Sequence, residues 1–491
     1  MKRIQYLAII AHDMGEIFRF VSVATMIPLI VLVYYGEWEM IVPMGSVPAV
    51  FFILGSLMER LPRQGEIARL SVALVAVALT WLSVALVGSL PYLLGLKLSV
   101  TDSIFESMSG WTATGFTMIS SLDVAPRTIL FWRSFTQWLG GIGVIAFGIA
   151  MLSRSGLVQF QLYRSEGRSE AFMPSIVSTG RNMWGIYLVL TFLFTIVVWL
   201  ISRVPLFDAI NLTMTAIATG GFTPKDGGIP QYANPMLEMV LIPVMLAGAL
   251  PFKIYYYMFR RSFRRVLIQS EMRVLLLLAL LGSSLVVFDL VRFGVVPLGE
   301  ALRTGAFMTV SAITSTGFQN ASIHPWPRVT VIIIIMIMLI GGCAGSTAGG
   351  IKVNRVVLAY EGLIWWFRRS FTRRTTIIPF KHEGRSIPEK ISEVELSKNM
   401  LVVILFIIVV FFSTLVCLHF YMPEMKLEEI IFDVVSAIGN NGLGAGYIGP
   451  ESPLPVKWVF IFVMWAGRLE IVPVIMLFIG IFKGFESRIP K

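Results

Sequence analysis

The chain reads as an all-α integral membrane protein. Four span–pore-loop–span repeats surround a pseudo-fourfold pore, and two extra transmembrane helices precede them. Three observations predict this architecture: the composition, the spacing of the apolar runs, and a polar segment that occurs four times. Hydrophobic residues make up 56% of the 491 and charged residues only 14%, against about 25% charged in ordinary soluble domains, and mean hydropathy is +0.79. Long apolar runs lie near 17–36, 40–58, 69–90, 129–152, 183–202, 235–252, 274–291, 329–365, 399–421 and 457–482, with glycines breaking the run at 329–365. Roughly 20 apolar residues carry a helix across the hydrocarbon core. Each run is therefore read as a span, and their even number puts both chain ends on one side. The pattern divides the chain into an N-terminal helix pair at 1–66 and pore repeats at 67–165, 166–268, 269–370 and 371–491.

The first element, "MKRIQYLAIIAHDMGE", has a basic start and a short apolar run. Asp13 and Glu16 interrupt that run and no small-residue cleavage site follows, so it is expected to be a retained span, not a signal peptide. Basic residues then set the orientation. With a cytoplasmic N-terminus, the segments 59–69, 153–182, 253–273, 352–398 and 483–491 all face the cytoplasm and hold most of the 40 Lys and Arg. That is the positive-inside bias, so both termini are expected in the cytoplasm. The net charge of +11 reads as this topology plus attraction to anionic membrane lipid, with no nucleic-acid partner. Cys343 and Cys417 both fall within spans and are too few for a disulfide framework. No inter-span loop reaches the usual size of a folded domain, so any nucleotide-sensing machinery is expected on another chain.

The pore repeats rest on "SGWTATGF" (109–116), "TAIATGGF" (215–222), "SAITSTGF" (311–318) and "SAIGNNGL" (436–443), which align without gaps. Each starts with a hydroxyl residue (Ser109, Thr215, Ser311, Ser436) and has glycine seventh (Gly115, Gly221, Gly317, Gly442). The glycines recur about every hundred residues, the signature of a repeat architecture. A short helical pattern precedes each one, at 102–111, 206–217, 298–313 and 427–438, too short to span. Asp102, Asp208 and Glu429 stand at matching positions near the starts of these helices, with Glu300 one turn earlier in the third copy. Acids there suit the positive helix end. A single Thr-Gly after a helix is usually just a C-cap. Four copies in register at membrane depth argue otherwise, because non-helical backbone survives there only where protein buries it or water reaches it.

Such segments can aim backbone carbonyls at an axis and replace the hydration shell of an alkali cation. The glycine permits the backbone conformation that a β-carbon disfavours. The candidate ion-binding residues are Thr112, Ala113, Thr114 and Gly115; Ala218, Thr219, Gly220 and Gly221; Thr314, Ser315, Thr316 and Gly317; and Gly439, Asn440, Asn441 and Gly442. No catalytic cluster accompanies them: the histidines at 12, 324, 382 and 419 are scattered. An enzyme is therefore not expected.

Together with "QWLGGIGVI" (137–145), "GGCAGSTAGGIK" (341–352) and "GRLEI" (467–471), these segments resemble the Trk/Ktr/HKT superfamily of potassium transport proteins, specifically the bacterial Trk-type membrane subunit. The resemblance covers the whole chain. It implies potassium uptake across the bacterial inner membrane, a homodimer, and a cytoplasmic nucleotide-binding regulatory ring, the Trk-type peripheral subunit. It also implies that the four seventh-position glycines are the selectivity glycines and that K+ binds at the filter through backbone carbonyls. No covalent cofactor is expected, and NAD or ATP/ADP would act only through the partner subunit. The fourth copy departs from the Thr-rich pattern with Gly-Asn-Asn. The alternatives are a proton- or sodium-coupled potassium symporter, or a less selective monovalent cation channel.

The last candidate is a gate, formed by Gly341, Gly342, Cys343, Ala344, Gly345, Ser346, Thr347, Ala348, Gly349 and Gly350 together with Arg468. The run 329–340 descends about 18 Å into a core of roughly 30 Å. A glycine-rich loop at that depth cannot face lipid and should lie in the ion path. Arg468 and Cys343 stand equally far beyond Gly442 and Gly317, so equivalent helices should bring the guanidinium beside the loop. A pair with nearby Glu470 is disfavoured, because helical residues two apart do not face each other.

Overall fold

A computed structural model describes residues 3–61, 70–143, 176–372, 378–382, 385–387, 389–420 and 425–483. The expected basic segment 153–182 lies largely outside these residues, as does Arg373-Arg374.

The N-terminal pair comprises α1 (Arg3–Ala24) and α2 (Ile27–Tyr35), nearly continuous, and α3 (Ile41–Glu59), which packs along α1. Small residues allow that close approach: a β-carbon on Gly15 would stand 2.9 Å from the Gly55 carbonyl oxygen.

The first repeat contains α4 (Leu70–Gly88), the short α5 (Leu90–Gly95), α6 (Val100–Trp111) and α7 (Arg127–Ile142). The second contains α8 (Ile176–Ser202), α9 (Leu206–Ile217), α10 (Pro235–Ala249) and α11 (Phe252–Phe259), followed by α12 (Phe263–Ile268). The third contains α13 (Ser270–Arg292), α14 (Leu298–Ile313), α15 (Arg328–Ile340) and α16 (Val353–Ser370). A two-stranded antiparallel hairpin of β1 (Phe380–His382) and β2 (Arg385–Ile387), absent from the sequence expectation, precedes the fourth repeat. That repeat contains α17 (Glu389–His419), α18 (Leu427–Ile438), α19 (Leu454–Arg468) and α20 (Val472–Lys483).

The helices α6, α9, α14 and α18 are the expected re-entrant helices. Their starts follow the sequence signals. Ser99 caps α6 by accepting from the Asp102 N–H at 3.1 Å. Prolines precede α9 and α14, and Glu429 accepts from the Lys426 N–H at 2.8 Å before α18. All four carry an acid in the first turn.

The second helices of the second and fourth repeats depart from expectation. Only the run at 329–365 was expected to break. Instead α10 bends by 97° into α11, and α19 bends by 108° into α20. In the first repeat α7 stops at Ile142, where Gly143 has φ 92°. Both bends have a local cause. Pro251 starts α11 without a donor for the preceding helix, while Glu470 and Ile471 after α19 both take positive φ. Among the described residues, six helices are long and apolar enough to cross a membrane, rising to eight if each bent pair counts as one span.

Candidate ion pathway

Each re-entrant helix ends in the same Schellman motif. The N–H groups of Thr114, Gly220, Thr316 and Asn441 donate to the carbonyls of Ser109, Thr215, Ser311 and Ser436 at 2.8–2.9 Å. The left-handed C′ residues are Ala113, Thr219, Ser315 and Asn440, with φ of 53°, 52°, 54° and 46°. None is a glycine, so a left-handed backbone is forced on a β-carbon four times, at about 1 kcal/mol or more each. The candidate filter glycines lie two residues further on, with φ of 114°, 79°, 82° and 90°. They are therefore not the helix C-caps, and the ordinary capping explanation for them fails.

Their surroundings close a ring. A β-carbon on Gly115 would meet the Gly220 carbonyl oxygen, on Gly221 that of Thr316, on Gly317 that of Asn441, and on Gly442 that of Thr114, each well inside 3.0 Å. Every glycine thus faces the carbonyl just before the next repeat's glycine, and the fourth faces the first. This is the pseudo-fourfold closure the repeats predicted. All four glycines line a vestibule of about 540 Å³.

Side chains that the sequence reading passed over brace the ring. Glu106 on α6 accepts from the Met118 N–H at 2.7 Å and pairs with Arg133 Nε on α7 at 2.7 Å. Arg133 Nη1 donates to the Thr223 carbonyl of the second repeat at 2.9 Å, and its guanidinium lies 3.9 Å from the Phe222 ring centroid. In the fourth repeat Asp433 accepts from the N–H groups of Ala445 and Tyr447 at 2.6 and 2.9 Å. Glu106 and Asp433 stand equally far before their glycines, the signal that could have revealed them. The fourth repeat's asparagines also reach both neighbours. Asn440 Nδ2 lies 3.1 Å from Thr114 Oγ1, and Asn441 Nδ2 donates to the Ala312 carbonyl at 2.7 Å. In the first and third repeats, hydroxyl pairs within one segment, Thr112–Thr114 and Thr314–Thr316, stand at the positions of Gly439 and Asn441, at 2.7 and 2.8 Å. At the outer mouth, Asp226 accepts from the Leu122 N–H, which holds its carboxyl below the usual carboxylate range.

The loop 341–350 lies directly beneath the ring: a β-carbon on Gly349 would meet the Gly439 carbonyl oxygen inside 3.0 Å. Its ends are drawn together, with Lys352 N–H donating to the Ile340 carbonyl at 2.7 Å and Val353 N–H to the Gly342 carbonyl at 2.8 Å. It docks on the break in the second repeat, where Cys343 N–H donates to the Ala249 carbonyl at 3.1 Å. Glu271 holds the Ala344 N–H at 2.9 Å, and Thr347 Oγ1 lies 2.8 Å from the Ile217 carbonyl. Arg468 Nη1 donates to the Thr347 carbonyl at 3.0 Å, while Nη2 reaches the carbonyls of Gly140 and Gly141 at the end of α7. Glu470 instead pairs with Lys352 at 2.9 Å and with Arg355. Loop residues 345–350, Asn440, Arg468 and Glu470 line an inner cavity of about 30 Å³, room for one or two waters. The space on the vestibule side of the ring is therefore wide, while the space on the loop side is water-sized.

Four parallel repeats that close a carbonyl-lined axial ring define a multi-pass membrane protein built to pass cations. Residues 49–484 match the TrkH family of cation transport proteins, and the chain belongs to that family. It is 33% identical to an uncharacterized cation transporter of Methanocaldococcus jannaschii over 474 residues, 96% of this chain and 94% of the relative. It is 30% identical over 415 residues to the Trk system potassium uptake protein TrkH of Escherichia coli (strain K12), 82% of this chain and 84% of the relative. The crystal structure of the potassium transporter TrkH from Vibrio parahaemolyticus superposes with a TM-score of 0.81 at 26% identity, covering 96% of this chain and 98% of that one.

Proposed function

We propose that this chain takes up potassium across the bacterial inner membrane through the ring at Gly115, Gly221, Gly317 and Gly442, with both termini in the cytoplasm. Potassium is the cargo, held in passage by backbone carbonyls. The loop 341–350 and Arg468 form the closed gate. A homodimer of this chain is controlled by a cytoplasmic nucleotide-binding ring that docks on 253–273 and 352–398. The observation that carries this reading is the wide vestibule above the glycine ring set against a water-sized cavity beneath it. The relatives named as potassium uptake proteins supply the choice of ion.

The driving force needs no partner ion: a potential of 100 mV supplies about 2.3 kcal/mol per charge. Conductance recording on purified protein in liposomes tests the reading. The expected result is a K+ current without a second obligatory ion, much larger than the Na+ current. A current that requires a proton or Na+ gradient would establish symport, and equal K+ and Na+ currents would leave only an unselective cation pathway.

A further inference from the structure

Gln137 is fully buried on α7 of the first repeat, yet its amide serves the second repeat. Nε2 donates to the Gly220 carbonyl at 2.6 Å, and Oε1 accepts from the Phe222 N–H at 3.0 Å. The amide orientation follows from its partners, since a carbonyl only accepts and a backbone N–H only donates. One side chain therefore grips the filter segment on both sides of Gly221.

Gly220 supplies one of the four ring carbonyls, with Thr114, Thr316 and Asn441. Among the described residues, no hydrogen bond to the other three carbonyls is found. The positions equally far beyond the other filter glycines are Pro243, Leu339 and Met464, whose side chains carry no N–H donor. The ring is thus symmetric in backbone but not in field, with three carbonyls free to meet an ion and one shared with an amide.

We infer that Gln137 is a positioning residue that sets cation selectivity. This inference rests on the filter reading above. Selectivity in a carbonyl ring depends on the number, field strength and spacing of its oxygens. The Gln137 amide draws on the Gly220 oxygen and holds it back from the axis. It also ties down the strand on both sides of the glycine, so the ring cannot contract around a smaller ion. Removing the amide frees a fourth oxygen and loosens the strand together, and both changes favour Na+ over K+.

Reversal potentials under opposed Na+ and K+ gradients, measured on the full-length protein in liposomes, test this. The variants are Gln137→Met, which fills the space without polar groups, and Gln137→Asn, whose amide is one methylene too short to span both partners. Gly221→Ser serves as the filter control. One net hydrogen bond corresponds to roughly a fivefold change in an equilibrium, so Gln137→Met is expected to raise the Na+/K+ permeability ratio by about that factor. Gln137→Asn should give a smaller rise in the same direction. A purely structural role would lower the yield or thermal midpoint without moving this ratio. If Gln137→Met does not fold, Gln137→Asn decides. An unchanged ratio in a folded Gln137 variant, with the ratio altered in Gly221→Ser, overturns the inference and leaves the filter standing. An unchanged ratio in Gly221→Ser as well overturns both.

Discussion

At the scale of single residues, the pathway is a set of backbone conformations that side chains would spoil. A β-carbon on any of the four filter glycines collides with a carbonyl of the next repeat, not with a side chain that could move away. Positive φ adds about 1–2 kcal/mol for a residue with a β-carbon. Gly→Ala at Gly115, Gly221, Gly317 or Gly442 is therefore expected to displace a ring carbonyl and lower the K+/Na+ permeability ratio by tenfold or so. Unchanged ion ratios in all four variants would remove these residues from the filter. The Glu106–Arg133 pair makes a different prediction, because both partners are buried beside the ring. Arg133→Met strands a buried carboxylate and should cost about 3–5 kcal/mol. Adding Glu106→Gln to Arg133→Met should restore much of that, as read by thermal unfolding in detergent. If the double variant is no more stable than Arg133→Met alone, the two side chains do not act as a pair.

At the scale of elements, the breaks in the second helices decide where the proposed gate can lie. A continuous helix satisfies its own backbone and leaves nothing to move. The loop 341–350 exchanges that for contacts with the second repeat, Glu271 and Arg468. Arg468 ties the loop's Thr347 to the end of α7, so one guanidinium closes the space between two repeats. Arg468→Ala, or deletion of 344–347, is expected to raise K+ flux in the absence of any regulator. Flux at the wild-type level in both would rule this gate out. Glu271, within the basic segment 253–273, links Lys253 at 3.7 Å to the loop 341–350 through its bond to the Ala344 N–H. Glu271→Gln should give a smaller rise in basal flux, since a neutral amide oxygen holds an N–H less strongly than a carboxylate does.

At the scale of the whole molecule, the protein is a multi-pass membrane cation transporter, and the proposed control from the cytoplasmic side would act through the helix that follows the loop 341–350. α16 starts at Val353, just after the loop 341–350, and carries Arg368 and Arg369 in its last turn, so force applied to its far end acts on the loop. Exposed aromatic residues on this helix, Trp366 and Phe367 among them, suit the membrane interface or a docked partner equally. If the proposed nucleotide-binding ring docks here, reversing the charges of Arg368, Arg369, Arg373 and Arg374 is expected to abolish co-purification with it while preserving the proposed dimer. Retention of the ring on the reversed variant would place its docking surface elsewhere.

The sequence by itself determined the membrane class, the four repeats, the extents of α9, α14 and α18, and those of α6 to within two residues. Hydrophobic length and a gap-free polar pattern are local properties, and lipid enforces both strictly. It also placed Arg468 near the loop, because equal distances along equivalent helices translate into equal depth. It did not reveal that α10 and α19 break as α15 does. A proline or a left-handed pair is tolerated mid-membrane only when neighbouring repeats take up the freed backbone groups. Nor did it reveal that Ala113, Thr219, Ser315 and Asn440, not the glycines, turn the helix ends. Gln137 and Arg133 were invisible for the same reason. Each acts on backbone far away in sequence, up to 90 residues for Arg133 and Thr223, and only the closure of the ring brings those partners together.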